Sequence, residues 1–332
     1  MNYVHDERND GRNVPVTLVG LTVLAVSILT PYVGGFDGEF DFFAALLAIP
    51  ASIGALVTNV SNAERRWPAW KILVVPSAFI IAMTGVAWLI AAEGAICIAM
   101  VLPLWIPASI GGAIVRVLED RRRRRPRNTA LHAVGWAVLP AVVMTLEGER
   151  PPEWQVRTVS RSVVIDQSPS TIWPTLLSIA DVRPNEGRPN LTQDMLGVPR
   201  PTQARLTRFG HLLVRRAGWG PSIRFDEVIT SLHPQRELSW RFSFPDDSVQ
   251  RHTDRHVAPD GEMLNIVSGR YSLGAVGRDR TRVTLATTYR MKARFPAYFA
   301  WWGELMLGDI QANVLAIIAD RHRRRPSPGE ST

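Results

Sequence analysis

The character of the chain changes within residues 136–165, which read WAVLPAVVMTLEGERPPEWQVRTVSRSVVI. An apolar run ends at Glu147, and a strand-like alternation of apolar and polar residues begins shortly afterwards. The first pattern is typical of a helix in lipid, and the second of a strand in a water-soluble domain. We therefore predict a transmembrane domain over residues 1–148, a soluble α+β domain over 149–325, and a disordered tail over 326–332.

Five apolar segments precede this boundary, separated by short charged loops, at residues 14–33, 41–58, 72–91, 95–115 and 129–146. A helix crosses the hydrocarbon layer with about 20 residues, so we expect an all-α bundle of about five transmembrane helices. The fifth segment is short and carries His132 and Pro140, so a re-entrant segment is the alternative there.

The loops between these segments alternate in charge. The first and third carry acidic residues and no basic ones, whereas the second and fourth are basic, the fourth through the run Arg121–Arg125. Because Arg and Lys favour the cytoplasmic side, we predict a cytoplasmic N-terminus in the cytoplasmic membrane of a bacterium. Five spans then place the soluble domain on the extracytoplasmic side, and a re-entrant fifth segment would place it in the cytoplasm.

A six-residue motif occurs twice in the membrane half, as Ile49-Pro-Ala-Ser-Ile-Gly54 and Ile106-Pro-Ala-Ser-Ile-Gly111. At this offset the first apolar segment aligns with the third and the second with the fourth. The membrane half is therefore predicted to be a duplicated helical hairpin plus a fifth helix. Small residues let helices approach closely in lipid, so we interpret the motif as a packing motif. A substrate path along broken helices is the alternative.

The composition argues against several classes of partner. The net charge of +8 arises from 36 Arg and 2 Lys that form no nucleic-acid-binding motif, so nucleic acid is not expected as a partner. The single Cys97 lies in an apolar segment, which excludes disulfides and cysteine metal sites from the soluble half. No phosphate-binding or dinucleotide-binding motif is present, and no cofactor is expected.

Three potential metal ligands alternate in His252-Thr-Asp254-Arg-His256. On a strand they would point to the same side, as a metal site requires. A fourth ligand is not evident in the sequence. We therefore expect a solvated polar strand face here, and no metal site.

The second half predicts one strand, a short helix, a run of antiparallel strands and one long helix. The predicted strands are 156–166, 203–209, 211–216, 223–231, 236–244, 249–257, 262–274 and 281–292. Thr171–Ile179 is predicted as a short helix, 181–201 as a loop, and the helix that opens at Pro296 runs to about Arg323. Such a sheet, curved around the long helix, would leave a cavity between them.

This order of elements resembles the START/Bet v1-like (SRPBCC) superfamily, particularly its polyketide cyclase/dehydrase and lipid-transport branch. The residues that carry the resemblance lie within about 155–323: Val163-Val-Ile165-x-x-x-Pro169-x-x-Ile172-Trp173, Pro234-x-x-x-Leu238-x-Trp240, Gly269-x-Tyr271-x-Leu273, Thr281-x-Val283-x-Leu285, and the helix after Pro296. The resemblance implies a helix-grip fold whose internal hydrophobic cavity holds an apolar or amphipathic molecule. It does not extend to the membrane half, and fold alone does not fix function.

Candidate ligand-binding residues follow from this fold. Helical periodicity puts Tyr298, Trp301, Trp302, Leu305 and Asp309 on one stripe, with Ala312 and Ala316, and we predict that this stripe faces the sheet. Asn313 lies just off it, and Trp240 and Tyr271 complete the predicted site. Leu307, Val314 and Ile318 form a second apolar side of the helix.

Asp309 stands out because burying an unpaired carboxylate is costly, so it should have a partner or a raised pKa. Arg270 and Tyr271 are the candidate partners. The simplest role for Asp309 is a structural pair. A polar contact to ligand and a catalytic acid or base are the alternatives.

Three functions remain open at this point. The first is a membrane-anchored domain that binds a lipid, isoprenoid or polyketide-like molecule, with membrane lipids around its anchor. The second is a cyclase or hydrolase that uses the same cavity, marked by polar groups with perturbed pKa values that converge inside it. The third is a sensor or scaffold whose cavity is filled by its own side chains, including Trp240 and Trp302.

Overall fold

The computed structural model describes residues 44–62, 67–91, 95–122, 129–147, 152–252 and 257–323. The chain divides into two compact units, one of Met1–Glu93 with Ile98–Pro151 and one of Pro152–Thr332 with the short stretch Gly94–Cys97. In the first unit, a π-helical turn at Ala44–Ala48 leads into α1 (Ile49–Ser61). The helices α2 (Ala69–Ala91), α3 (Ala95–Arg122) and α4 (Thr129–Glu147) follow.

Three apolar helical stretches in the described part of the first unit are long enough to cross a membrane: Ala44–Ser61, Ala69–Val86 and Ala95–Arg121. A shorter apolar helix covers His132–Glu147. Helices therefore form at four of the five predicted segments, and the segment at 14–33 lies outside the described residues. The count of five spans stays a prediction.

The two copies of the repeated motif lie on α1 and α3, and these helices touch through small residues. A β-carbon at Gly54 would lie 1.9 Å from the carbonyl oxygen of Ser109, and one at Gly112 equally close to that of Ala51. Only hydrogen at these positions permits such contact between helix backbones.

A polar contact joins the same two helices one turn beyond the motif. The buried Arg116 donates to the side-chain oxygen of Asn59 through Nε (3.0 Å) and Nη2 (2.7 Å), and it pairs with Asp120. Arg116 and Asn59 are separated by 57 residues, the offset of the repeat.

The second unit contains a seven-stranded antiparallel sheet in the order β1-β7-β6-β5-β4-β3-β2. Its elements are β1 (Trp154–Ile165), α5 (Pro169–Leu177), α6 (Leu191–Asp194), β2 (Pro201–Phe209), β3 (Leu212–Trp219), β4 (Ile223–His233), β5 (Glu237–Ser243), β6 (Leu264–Ala275), β7 (Thr281–Lys292) and α7 (Pro296–Arg323). The first and last strands pair with each other, and α7 packs on both. This topology is that of the predicted helix-grip fold.

Local sequence explains where the helices begin and end. Ser168 caps α5 by accepting a hydrogen bond from the Thr171 backbone N–H, and Pro169 provides the fixed φ of a first helical residue. Pro296 starts α7 in the same way. The last turn of α7 is basic, which complements the negative end of the helix dipole.

Two sequence predictions about this unit are wrong. Residues Gln250–His252 form a 3₁₀ turn where a strand over 249–257 was predicted, and residues 253–256 lie outside the described part. The predicted loop at 181–201 contains α6, a single turn capped by Asn190. The single turn of α6 is too short for an apolar period to reveal it, and it depends on its Asn190 cap.

The main core of the second unit lies between the sheet and the helices α5 and α7. Its fully buried members include Ile172, Leu176, Leu238, Val283 and Leu315. They come from α5, the central strands and the C-terminal half of α7, so the core fixes one end of α7 on the sheet. A smaller core of Val159, Tyr289 and Met291 packs against Phe299 and Leu307 in the N-terminal half of α7.

Candidate functional site

A cavity of about 270 Å³ lies between the sheet and α7. The strands from β2 to β7 form its floor, α7 forms its roof, and the segment between α5 and β2 closes one side. Most of the wall is apolar and includes Ile179, Val182, Val198, Ala217, Trp219, Phe225, Phe242, Leu285, Met306, Ile310 and Val314. The cavity is therefore not filled by the side chains around it, and it suits an apolar occupant.

The face of α7 that lines the cavity differs from the predicted stripe. Its lining residues recur every three or four positions: Gly303, Met306, Leu307, Ile310, Gln311, Val314, Ile317 and Ile318. Leu307, Val314 and Ile318 had been predicted to lie on the opposite side. Gly303 is needed there, because a β-carbon would lie 2.4 Å from the hydroxyl oxygen of Tyr289.

Two of the eight predicted ligand-binding residues, Trp240 and Tyr271, lie on the cavity wall. The other six, Tyr298, Trp301, Trp302, Leu305, Asp309 and Asn313, are not among its lining residues. Trp301 is 56% exposed to solvent. The reason is that α7 is apolar on two sides, so its periodicity does not determine which side meets the sheet.

The principal polar feature of the wall is a buried ion pair that the sequence analysis missed. Arg215 on β3 lies directly opposite Glu227 on β4, and the Arg215 Nε donates to the Glu227 carboxylate. The two side chains are only 5% and 8% exposed. The Arg215 Nη1 also donates to the Leu176 carbonyl at 2.5 Å, which fastens α5 to the sheet.

Two aromatic side chains complete this cluster. The guanidinium carbon of Arg215 lies 4.6 Å from the ring centre of Trp240 and 5.3 Å from that of Tyr271. The two rings are 5.2 Å apart. Aromatic faces attract a cation, and more strongly when it is desolvated, so the rings help to offset the cost of burying Arg215. We call Arg215, Glu227, Tyr271 and Trp240 the polar cluster.

The pKa values of the polar cluster fix its charge. Burial alone would lower the pKa of Arg215, but the charge of Glu227 and hydrogen bonds to Glu227 and Tyr271 hold it above its ordinary value. Burial, reinforced by the charge of Glu227 and opposed by Arg215, raises the pKa of Tyr271 above 10.0. At neutral pH, Arg215 is charged and the Tyr271 hydroxyl keeps its proton.

Asp309 has a structural partner that was not predicted. Its carboxylate accepts hydrogen bonds from the backbone N–H (3.1 Å) and the hydroxyl (2.9 Å) of Thr192, at the start of α6. Of the two predicted partners, Arg270 lies near Glu237, at 3.9 Å, and Tyr271 belongs to the polar cluster. The roles of ligand contact and catalysis for Asp309 have no support from this arrangement.

Asp309 is one of three α7 residues that hold the segment at 178–200, which we call the cover segment. The Asn313 amide oxygen accepts from the Arg188 N–H at 2.8 Å, and its nitrogen donates to Gln193 at 2.6 Å. Arg321 pairs with Glu186 at 2.8 Å. Because the cover segment lines the cavity with Ile179, Val182, Thr192, Val198 and Pro199, these bonds hold one wall of the site in place.

Among the described residues, no group of three His, Cys, Asp or Glu side chains could hold a metal ion. Asp254 and His256 of the alternating motif lie outside those residues.

No family model and no curated protein matches the sequence. Solved structures are similar at low identity. A truncated norcoclaurine synthase from Thalictrum flavum is 11% identical, covers 53% of this chain and 100% of its own, and has a TM-score of 0.33. The Zhui aromatase/cyclase from a Streptomyces species is 12% identical, with 54% and 100% coverage and a TM-score of 0.33. The di-domain aromatase/cyclase BexL is 12% identical, with 65% and 62% coverage and a TM-score of 0.33.

At these TM-scores the matches carry no argument about function. The strand order and the long C-terminal helix of this chain identify its second unit as a helix-grip domain. The cavity under α7 gives this domain room for a ligand.

Proposed function

We propose that the helix-grip domain binds a hydrophobic or amphipathic small molecule, such as a lipid, an isoprenoid or a polyketide-like compound, in the cavity under α7. The observation that carries the proposal is an apolar cavity with a buried polar cluster on its wall. Ligand sites combine an apolar lining with a few polar groups that set orientation. Membership of the START/Bet v1-like superfamily is part of this proposal.

The charge balance of the polar cluster favours a neutral polar group on the ligand. Arg215 is already paired with Glu227, so an ionised ligand would add an uncompensated charge to a buried site. A guanidinium has five N–H donors, of which the contacts with Glu227, Leu176 and Tyr271 use three. A hydroxyl or carbonyl oxygen fits the remaining donors better than a carboxylate does.

A membrane anchor next to such a site would suit a ligand that partitions into lipid. Three long apolar helices and the charge alternation of the loops support an integral membrane protein. We further propose that the chain crosses a bacterial cytoplasmic membrane five times. Its N-terminus would lie in the cytoplasm and its helix-grip domain on the extracytoplasmic side.

The second candidate is an enzyme of the cyclase or hydrolase type. It is favoured by the convergence of Arg215, Glu227 and Tyr271, two of which have perturbed pKa values. Raised pKa values keep Arg215 and Tyr271 protonated, so they can stabilise a developing oxyanion but cannot accept a proton. The sensor or scaffold alternative required a filled cavity, which this domain does not have.

The binding proposal is tested with the neutral fluorescent probe N-phenyl-1-naphthylamine and the full chain in lipid nanodiscs. Ala217 lies on the cavity wall, so Ala217→Trp should fill the cavity and abolish saturable probe binding. Ala286→Trp, on the alternate side of β7, is the matched control and should bind normally. Equal binding by both variants would refute the cavity as the site, and conversion of an added ester or polyketide substrate would favour the enzyme.

A further inference from the structure

Gln311 places an acceptor without a partner in the cavity wall. This side chain is 1% exposed, and its Nε2 donates to the Val159 carbonyl (3.0 Å) and the Thr287 hydroxyl (2.9 Å). A carbonyl can only accept, so the bond to Val159 fixes which end of the amide is the nitrogen. The Gln311 Oε1 then faces away from both and has no hydrogen-bond partner among the described residues.

Trp240 places a donor without a partner in the same wall. Its indole is 2% exposed and covers Gly269, where a β-carbon would lie 2.3 Å from the ring and 2.8 Å from Nε1. The face of this ring carries Arg215, but its Nε1–H is likewise unpartnered among the described residues. Burying such a group without a partner costs about 1–3 kcal/mol.

The sheet register brings these two groups together. Gly269 on β6 pairs with Thr287 on β7, and the Cα atoms of such pairs lie about 5 Å apart. The indole N–H lies over Gly269 and the Gln311 amide is bonded to Thr287, so the unpartnered donor and acceptor lie beside two paired residues of neighbouring strands. Trp240 links this place to the polar cluster, since Arg215 covers the face of the same ring.

We infer that Trp240 Nε1 and Gln311 Oε1 form a second polar subsite, which takes a hydroxyl group of the bound molecule. A hydroxyl accepts from the indole N–H and donates to the amide oxygen, so it satisfies both buried groups at once. A carbonyl or an ether oxygen would satisfy only the first. Together with the unused donors of Arg215, this subsite favours an apolar molecule that carries two polar oxygens, rather than a lipid with a single polar head.

This inference rests on the proposed function and is tested with naphthalene, 2-naphthol and the 1,5-, 2,6- and 2,7-naphthalenediols. Their dissociation constants are measured by intrinsic fluorescence with the full chain in nanodiscs, after subtraction of partitioning into empty nanodiscs. The best diol should bind about five- to tenfold more tightly than 2-naphthol, the gain that a net hydrogen bond gives. Three isomers are used so that no separation between the two subsites is assumed.

Gln311→Leu and Trp240→Phe should each reduce the diol preference, taken as the ratio of diol to 2-naphthol affinity within the same variant, to about one. Trp240→Phe keeps an aromatic ring over Gly269, so it serves if Gln311→Leu fails to fold. Gln155→Leu is the control, because Gln155 lies on β1 outside the cavity wall and bonds to Arg157. It should keep the preference.

The outcomes separate the two claims. If naphthalene and 2-naphthol bind but the diol preference is absent, or survives both variants, the second subsite is refuted and the proposed binding function stands. If no probe binds above the empty-nanodisc level, the proposed function fails and the subsite fails with it.

Discussion

Arg215 is the residue on which the binding site depends most, because it combines charge with almost complete burial. It contacts Glu227, two aromatic rings and the carbonyl of Leu176, and so joins β3, β4, β5, β6 and α5. A buried charge whose partner is removed has neither water nor a counter-charge to stabilise it. The pair should therefore behave as a unit in mutagenesis.

Arg215→Met should destabilise the helix-grip domain by about 3–5 kcal/mol, since it leaves the Glu227 carboxylate buried and unpaired. The double variant Arg215→Met/Glu227→Leu should recover most of this loss. Thermal or urea unfolding of the full chain, followed by tryptophan fluorescence, measures both. Arg216→Met is the matched control, because Arg216 is 60% exposed and lies 3.9 Å from Asp226, so its removal should cost about 0–1 kcal/mol. A double variant no more stable than the single one would contradict this.

The sequence could not identify this pair for a specific reason. Arg215-Arg216 and Asp226-Glu227 are each two adjacent charges on a strand, so one of each points inward whichever way the strand is turned. The alternation of apolar and polar residues therefore does not show which of the two adjacent charged side chains points into the domain. Trp240 and Tyr271, by contrast, lie on strands whose alternation is clear, and both line the cavity, while their contact with a ligand stays a prediction.

At the scale of elements, the cover segment explains why α7 carries polar residues away from the cavity. Asp309, Asn313 and Arg321 bond to this segment from the helix side, while its apolar residues line the cavity. The helix itself was predicted over 296–323 and is found there. The side of α7 that meets the sheet was not predictable from the sequence. It depends on contacts with the cover segment, which join residues far apart in the chain and leave no periodic pattern in the sequence.

Asp309→Ala should loosen the cover segment without unfolding the sheet, since it removes the acceptor of two Thr192 bonds. Hydrogen exchange of residues 188–198 should become at least about tenfold faster, as loss of 1–3 kcal/mol of local stability implies. Asp320→Ala is the control, since Asp320 pairs with Arg323 on the same helix. Unchanged exchange in the cover segment would show that Asp309 does not hold it.

Low pH should loosen the cover segment, because it protonates Glu186, which pairs with Arg321. Burial raises the pKa of Glu186, but the hydrogen bond and charge of Arg321 outweigh this and hold it below the ordinary 4.5. A carboxyl group whose pKa is lowered by folding contributes stability that is complete above its unfolded value and is lost as pH falls through the folded value. Exchange of the cover segment should therefore accelerate below about pH 4.5, and Arg321→Gln should reduce this dependence. An identical pH profile in Arg321→Gln would argue against the pair.

The repeated motif gives a matched test within the first unit. Gly54→Leu should disrupt the contact of α1 with the Ser109 backbone and lower the thermal midpoint in detergent, with a cost above about 1–3 kcal/mol. Gly111, the same position in the second copy, has open space around it, so Gly111→Leu should have little effect. Equal effects of the two substitutions would mean that the two copies are used alike.

At the scale of the whole molecule, the two halves were predictable to different degrees. The change of character near Glu147 and the α+β order of elements follow from hydropathy and strand periodicity, which are local signals, whereas the helix-grip fold was predicted from the resemblance to a known superfamily. The buried ion pair and the contacts of the cover segment depend on register across the sheet, which no local pattern specifies.

The central claim is that the cavity holds such a molecule, and native mass spectrometry of the full chain purified from cells in nanodiscs tests it most directly. The wild-type chain should carry a hydrophobic compound of discrete mass, recoverable by organic extraction, and Ala217→Trp should lack it. A wild-type chain that is reproducibly empty, and that also fails to take up N-phenyl-1-naphthylamine, would contradict the claim.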